Sequence, residues 1–210
     1  MALSILLSAF AALAVAAPQA TTTAPAASEA SYPAYTTAPN FRLVANVIGD
    51  ECEFDTSIQN WEVTSYHTGA GLSVAYLDDP AKGPGRAFYI NGTASQIRDG
   101  TGDLLSDGGL PAYPDGLIVS AANVTDSEGR RMISLDIGSG SAGVGIAGSP
   151  SPVPYLTYNN AAEDDSFGGW YACNATYPFD SYGPLVALYY RSLSETTPFG
   201  CTDLILYPQW

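Results

Sequence analysis

Apolar and polar side chains alternate with a period of two along most of the chain, which is typical of β-strands. Three stretches place their apolar residues on one face: FRLVANVI (Phe41, Leu43, Ala45, Val47), LSVAYL (Leu72, Val74, Tyr76) and RMISLDI (Ile133, Leu135, Ile137). A fourth, PLVALYY, is apolar throughout, which predicts a strand buried on both faces. Clusters of Gly, Pro, Asn and Asp separate such runs. The pattern predicts an all-β chain, a single antiparallel β-sandwich or barrel-like domain of about 10–12 short strands.

Two hairpins are predicted from turn residues. Asn91-Gly92 divides two alternating stretches in RAFYINGTASQIRD, and this pair favours a type I′ turn. The second hairpin joins GLIVSAAN to RRMISLDI, with Gly129 in the left-handed position of a longer loop.

A glycine run, DIGSGSAGVGIAGSP, contains the spacing G-x-G-x-x-G twice. A dinucleotide site needs a helix to begin inside that motif, but Pro150, Pro152 and Pro154 follow at alternate positions and prevent one. The run instead predicts a short or bulged edge strand with Val144 and Ile146 toward the core. Its glycines would allow close approach by a backbone or by a large ring such as Trp170 or Tyr171. We therefore predict no cofactor.

The N-terminal region predicts export. Residues 1–16 are apolar, carry no charged side chain and end in Ala14-Val15-Ala16, which indicates a signal peptide cleaved before Ala17. Residues 17–40 are rich in Ala, Thr, Ser and Pro and cannot bury enough apolar surface to fold. Residues 41–210 are predicted to form the β-domain.

The chain is strongly acidic, with a formal net charge of −14. A nucleic-acid partner requires the opposite sign, so nucleic-acid binding is excluded. The sequence also predicts no membrane insertion after signal cleavage, because no other stretch is long and apolar enough to span a bilayer.

Covalent modification is expected at cysteines and at glycosylation sequons. Of the three cysteines, Cys173 and Cys201 are the favoured disulfide pair, while Cys52 stays free or replaces one of them. Three sequons predict exposed N-glycosylation positions, at Asn91, Asn123 and Asn174.

Catalytic signals are weak. A single histidine, His67, cannot build a zinc site and is a poor basis for a serine triad without a G-x-S-x-G elbow. A calcium site is a minor alternative; its candidate ligands are Asp99, Asp103, Asp107 and the 163–165 run EDD. A glycosidase-like carboxylate pair, drawn from Glu62, Asp136 and Glu195, is harder to exclude. We nevertheless predict no catalytic residues and no metal site.

Aromatic residues suggest a binding role. Rings on a sheet face can stack on sugars, and the candidates are Trp61, Tyr66, Trp170, Tyr171 and Tyr182. The alternative explanation is the β-propensity that tyrosine has on any half-exposed strand.

Several phrases resemble a group of small secreted proteins of filamentous fungi. They are FRLVANV, SYHTGAG, GRAFYINGTA, LSDGGLPAYPDGL, GRRMISLDIGSGSAGVG and CTDLILYPQ, and together they cover most of the β-domain. That group is an uncharacterised domain family, some of whose members carry IgE-binding labels. The resemblance implies a fungal source, secretion and a β-rich domain, and it brings no catalytic residues.

The sequence thus predicts a secreted fungal β-domain protein without enzymatic activity that acts at the cell wall or a host interface. Its expected partner is a cell-wall polysaccharide or a host surface component. One alternative is a carbohydrate-binding module, and a second is a glycosidase-like hydrolase.

Overall fold

The computed structural model describes residues 39–51, 53–99, 101–110, 112–147, 153–159, 167–177 and 183–210. The predictions for the signal peptide and for 17–38 lie outside these ranges. So do those for Cys52, the 163–165 acidic run and Tyr182. These predictions stay predictions.

Twelve strands and one short helix form within the described ranges. They are β1 Arg42–Val47, β2 Glu62–Gly69, β3 Leu72–Asp78, β4 Phe88–Asn91, α1 Ala94–Asp99, β5 Asp103–Gly108, β6 Tyr113–Val119, β7 Arg131–Ile137, β8 Val144–Ala147, β9 Tyr155–Tyr158, β10 Phe167–Ala175, β11 Leu185–Ser192 and β12 Cys201–Gln209.

Six strands close on themselves. The hydrogen-bonded order is β10-β12-β1-β2-β3-β11, and β11 then pairs with β10 to complete the circuit. β7, β6, β5 and β4 extend the sheet from β11 and β3, while β8 and β9 form a separate two-stranded sheet. Every pairing is antiparallel. The predicted all-β, antiparallel, barrel-like fold is confirmed.

Burial follows the predicted faces on β1 and β11 but not on all strands. Leu43 and Ala45 are buried, and β11 is buried continuously from Val186 to Tyr190. On β3, however, Leu72 is 53% exposed and the buried residues are Ala75 and Leu77. The prediction of the inward face of β3 was wrong because both faces of that strand carry apolar residues.

The predicted face of β7 holds except at its end. Ile133 and Leu135 are buried, but Ile137 is 58% exposed because it is the last residue of the strand.

The prediction of a hairpin at Asn91-Gly92 was wrong. Residues 94–99 form helix α1, and β4 pairs instead with β5 beyond it. The Thr93 hydroxyl accepts from the Gln96 N–H at 3.3 Å, and the Gln96 side chain accepts from the Thr93 N–H at 2.8 Å. This reciprocal capping box starts the helix.

The second predicted hairpin is confirmed. β6 pairs with β7, and Gly129 has a φ of 81° in the connecting loop. This positive φ suits glycine, which has no Cβ to clash with the backbone.

The glycine run contains β8, whose Val144 and Ile146 are buried as predicted. The predicted close approach is made by backbone and not by a large ring. A Cβ on Gly140 would lie 2.7 Å from the Leu117 carbonyl oxygen, and one on Gly143 would lie 1.9 Å from that of Asn159. The run is therefore a place where strands and loops meet closely.

The favoured disulfide is confirmed. Cys173 on β10 and Cys201 on β12 are direct cross-strand partners, with Cα atoms 4.4 Å apart. The bond joins two neighbouring strands of the closed circuit.

Candidate functional site

An open cleft of about 390 Å³ lies beside β2, β3 and the start of β11. We call it the Trp61 cleft, and its lining is Trp61, Tyr66, Tyr76, Leu77, Asp78, Lys82, Pro184, Leu185 and Val186. Its volume falls within the range of about 300–1,000 Å³ that small-ligand sites occupy. Three of its lining residues are aromatic, and a carboxylate and an ammonium group stand among them.

Trp61 is positioned by a turn just before β2. Asn60 adopts a left-handed backbone with a φ of 67°, a conformation that asparagine tolerates better than most residues. The Asn60 N–H donates to the Ala45 carbonyl at 2.9 Å, and the Ala45 N–H donates to the Trp61 carbonyl at 2.8 Å. These bonds fix the turn against β1, and the Trp61 side chain packs partly against the core.

Tyr66 and Tyr76 reach the cleft through strand alternation. On β2, Val63 is buried, and Tyr66, three positions later, lies on the opposite face of the strand. On β3, Ala75 and Leu77 are buried, so Tyr76 between them points outward. Because Tyr66 pairs with Val74 and Thr64 with Tyr76, the two tyrosines are diagonal neighbours. Such neighbours lie about 7–8 Å apart, close enough for aromatic rings to share one surface.

The charged end of the cleft comes from the turn after β3. The Lys82 N–H donates to the Asp79 carbonyl at 2.9 Å, and the Asp79 side chain accepts from the Ala81 N–H. This turn brings the Lys82 ammonium to 3.0 Å from Asp78 Oδ1 and to 5.6 Å from the centre of the Trp61 ring. The Lys82 and Asp78 side chains are 65% and 30% exposed. An exposed pair of this kind contributes at most about 1 kcal/mol to stability.

Glu62 follows Trp61 in the sequence but does not line the cleft, and its carboxylate has partners elsewhere. It stands opposite Asp78 in the β2–β3 register. Its carboxylate accepts from the Gly85 N–H at 2.7 Å and lies 3.7 Å from an Arg42 nitrogen. Asp78 is therefore the carboxylate available to the cleft.

This arrangement suits a ligand with an apolar ring face and polar edges. Tryptophan and tyrosine offer flat apolar surfaces together with polar groups that hydrogen-bond. Asp78 accepts hydrogen bonds and attracts cations, while Lys82 donates. The cleft has the chemistry to bind a sugar ring.

The structure brings together two of the five predicted stacking residues, Trp61 and Tyr66. The prediction that Trp170 and Tyr171 stack on sugars was wrong, because these residues are only 1% and 3% exposed. The Trp170 indole donates to the Leu156 carbonyl at 2.8 Å. Tyr171 stacks on Tyr189 with ring centres 5.4 Å apart, and burial raises the pKa of its phenol. Both rings stabilise the fold and cannot offer a face to a ligand.

Three cleft residues were missed: Tyr76, Asp78 and Lys82. The signal for the charged pair was present in the sequence as DDPAKG at 78–83, because Asp followed by Pro is typical of a tight turn. That turn folds Lys82 back onto the end of β3.

The sequons differ in exposure. Asn123 and Asn174 are exposed, and the Asn174 amide donates to the Glu53 carbonyl at 2.8 Å. Asn91 is only 4% exposed, so its predicted exposure was wrong. It is the last residue of β4 and stands opposite Asp103 on β5.

The candidate carboxylates do not form a catalytic pair. Asp136 accepts hydrogen bonds from the Ser73 N–H and from the Ser134 hydroxyl. Glu62 stands opposite Asp78 in the backbone register of β2 and β3. Ser73 and Asp78 are separated by about 16 Å along β3 at the usual strand rise. The two carboxyl groups of a glycosidase flank one bond at about 5–9.5 Å, so this separation is too large. Glu195 lies beyond the far end of β11, where it accepts from the Ser192 N–H.

The remaining candidates have other environments. His67 is exposed on β2 opposite Ser73, and Asp107 accepts from the Tyr89 hydroxyl at 2.8 Å. Burial raises the pKa of the Asp103 carboxyl. Across the described ranges, no three His, Cys, Asp or Glu side chains come together as a metal site.

Comparison with known proteins places the chain in a family. Residues 38–210 match the model of a domain of unknown function, DUF7907. The chain belongs to this family. It is also 40% identical over 129 residues to antigenic protein SchS34 of Stachybotrys chartarum, which covers 60% of this chain and 55% of that relative. This chain thus spans little more than half the length of the relative.

The match agrees with the resemblance drawn from the sequence, namely an uncharacterised family with fungal members. No solved structure matches the chain. In the part of the chain that the structure describes, no helix has the length and apolar character needed to cross a membrane.

Proposed function

We propose that this protein is a secreted carbohydrate-binding domain without catalytic activity that acts at the cell wall or at a host surface. The observation that carries this proposal is the Trp61 cleft, where Trp61, Tyr66 and Tyr76 line one open depression on the outside of the barrel. Polysaccharide chains are long and exposed, so an open cleft suits them better than a closed pocket.

The rigidity of the cleft supports binding. Tyr66 and Tyr76 stand on two paired strands, while the Trp61 backbone is hydrogen-bonded to β1 and its ring packs partly against the core. Aromatic residues held in this way lose little conformational entropy when a ligand binds. Little of the binding free energy is then spent on ordering these side chains.

The separation of the carboxylates supports a role without catalysis. Glu62 is held by Gly85 and Arg42, and Asp136 is held by Ser73 and Ser134. Neither carboxylate faces the other across a shared cleft, as glycoside hydrolysis requires.

Extracellular action is supported by the sequence and by the disulfide. The apolar leader and the acidic composition fit an exported chain. The Cys173–Cys201 bond is compatible with an oxidising environment outside the cytosol.

Replacing Tyr66 and Tyr76 together by alanine should lower retention on an insoluble polysaccharide by at least about tenfold, since each ring supplies about 1 kcal/mol or more of stacking. The measurement is depletion of the protein from solution by chitin, chitosan, β-glucan and cellulose.

Phe199→Ala is the matched control. Phe199 is 93% exposed and lies beyond the opposite end of β11. Its loss should leave retention unchanged. Retention of the wild type on none of these polymers would overturn the proposal, as would equal losses in the two variants.

A further inference from the structure

We infer that the Trp61 cleft selects sugars that carry free amino groups, such as the deacetylated amino-sugar polymer chitosan. This inference rests on the proposed function and adds the class of ligand. The feature behind it is the Lys82 ammonium, which occupies the position that a ligand's amine would take.

The cleft already binds one primary ammonium group. Lys82 Nζ lies 3.0 Å from Asp78 Oδ1 and 5.6 Å from the centre of the Trp61 ring. An anionic oxygen and an aromatic face are the two groups that recognise an ammonium ion. A protonated amine on a sugar ring can make the same contacts while the ring itself lies along Tyr66 or Tyr76.

Lys82 can give up this position at small cost. Its side chain is 65% exposed and stands on a surface turn, so it can move into water without opening the fold. The Lys82 ammonium is then displaced from Asp78 by the amine of the ligand. The Asp78 carboxylate keeps a cationic partner throughout.

Charge around the cleft favours the exchange. Once Lys82 moves away, Asp78 and the neighbouring Asp79 leave two negative charges at this end of the cleft. Arg42 does not neutralise them, because it is paired with Glu62. The whole chain carries a formal net charge of −14, which attracts a polycation from a distance. A neutral glucan or a fully acetylated chitin would gain nothing from either feature.

The test compares oligosaccharides of equal length, one deacetylated and one N-acetylated, by titration calorimetry at about pH 5.5, where carboxylates are ionised and amines are protonated. The wild type should bind the deacetylated sugar at least about tenfold more tightly. Asp78→Asn, which keeps the shape of the side chain, should abolish this preference. Lys82→Gln should raise affinity for the deacetylated sugar by about threefold, because the internal competitor is gone.

Equal affinity for the two sugars would overturn the inference. A preference that survives Asp78→Asn would also overturn it, as would equally tight binding of an oligolysine of matched charge. Binding of the N-acetylated sugar at least as tightly as the deacetylated one, with a requirement for Tyr66 and Tyr76, would leave the proposed function standing while this inference fails. Binding of neither sugar would reject this inference, whereas the proposed function would be rejected only if β-glucan and cellulose also failed to retain the protein.

Discussion

Removing the disulfide should lower the free energy of unfolding by about 3.5 kcal/mol. The bond closes a loop between positions 28 residues apart, and without it the unfolded chain gains the freedom of that loop. Cys173→Ala with Cys201→Ala is the suitable pair of changes, because Cys173 is buried and a serine there would bury a hydroxyl. Urea unfolding followed by circular dichroism measures the loss.

Cys52→Ala is the matched control, since it removes the third cysteine and leaves the Cys173–Cys201 bond in place. The double variant should unfold at a clearly lower urea concentration than this control. Equal midpoints would show that the closed circuit of strands holds β10 and β12 together without the bond.

Replacing Gly116 by alanine should destabilise the domain by about 3 kcal/mol, at the upper end of the cost of overpacking. A Cβ at this position would lie 2.0 Å from the Gly140 nitrogen and 2.4 Å from its Cα. Both contacts are with backbone, so β6 or the glycine run after β7 has to shift. Thermal unfolding of the variant and wild type measures the cost.

Gly69→Ala provides the comparison on another strand. Its new Cβ would meet only Leu72 Cδ1, at 3.8 Å, which is an ordinary contact. We expect a change within about 0.5 kcal/mol. If Gly116→Ala were equally mild, the close approach of β6 to the glycine run would be contradicted.

Much of the fold could be predicted because alternation and turn residues are local signals. The Gly129 loop and the buried β11 strand needed no knowledge of distant contacts. At Asn91-Gly92 two local signals competed, and the capping box formed by Thr93 and Gln96 outweighed the turn preference of the Asn-Gly pair. Reading Thr93-x-x-Gln96 as a helix start would have corrected this prediction.

The candidate site was only half predictable, because strand register decides it. Trp61 and Tyr66 flank one cleft, whereas Trp170 and Tyr171 are covered on both faces of β10. The sequence of β10 does not reveal that pairing with β11 places Tyr190 against Trp170 and Tyr189 against Tyr171. Tyr76 and Asp78 join the site through the β2–β3 register, which links residues more than ten positions apart.

The most direct test of the carbohydrate-binding cleft is the indole N–H NMR spectrum of the protein. The spectrum is followed during titration with a soluble oligosaccharide of the polymer that retains the protein. The chain has three tryptophans, and Trp61→Phe assigns the signal of the one in the cleft. Trp170 is buried and bonded to Leu156, and Trp210 packs on Phe41 with ring centres 4.6 Å apart. We expect the Trp61 signal to shift until it saturates while the other two stay in place. A saturating shift of Trp210 alone, or binding that moves none of the three signals, would contradict binding in the Trp61 cleft.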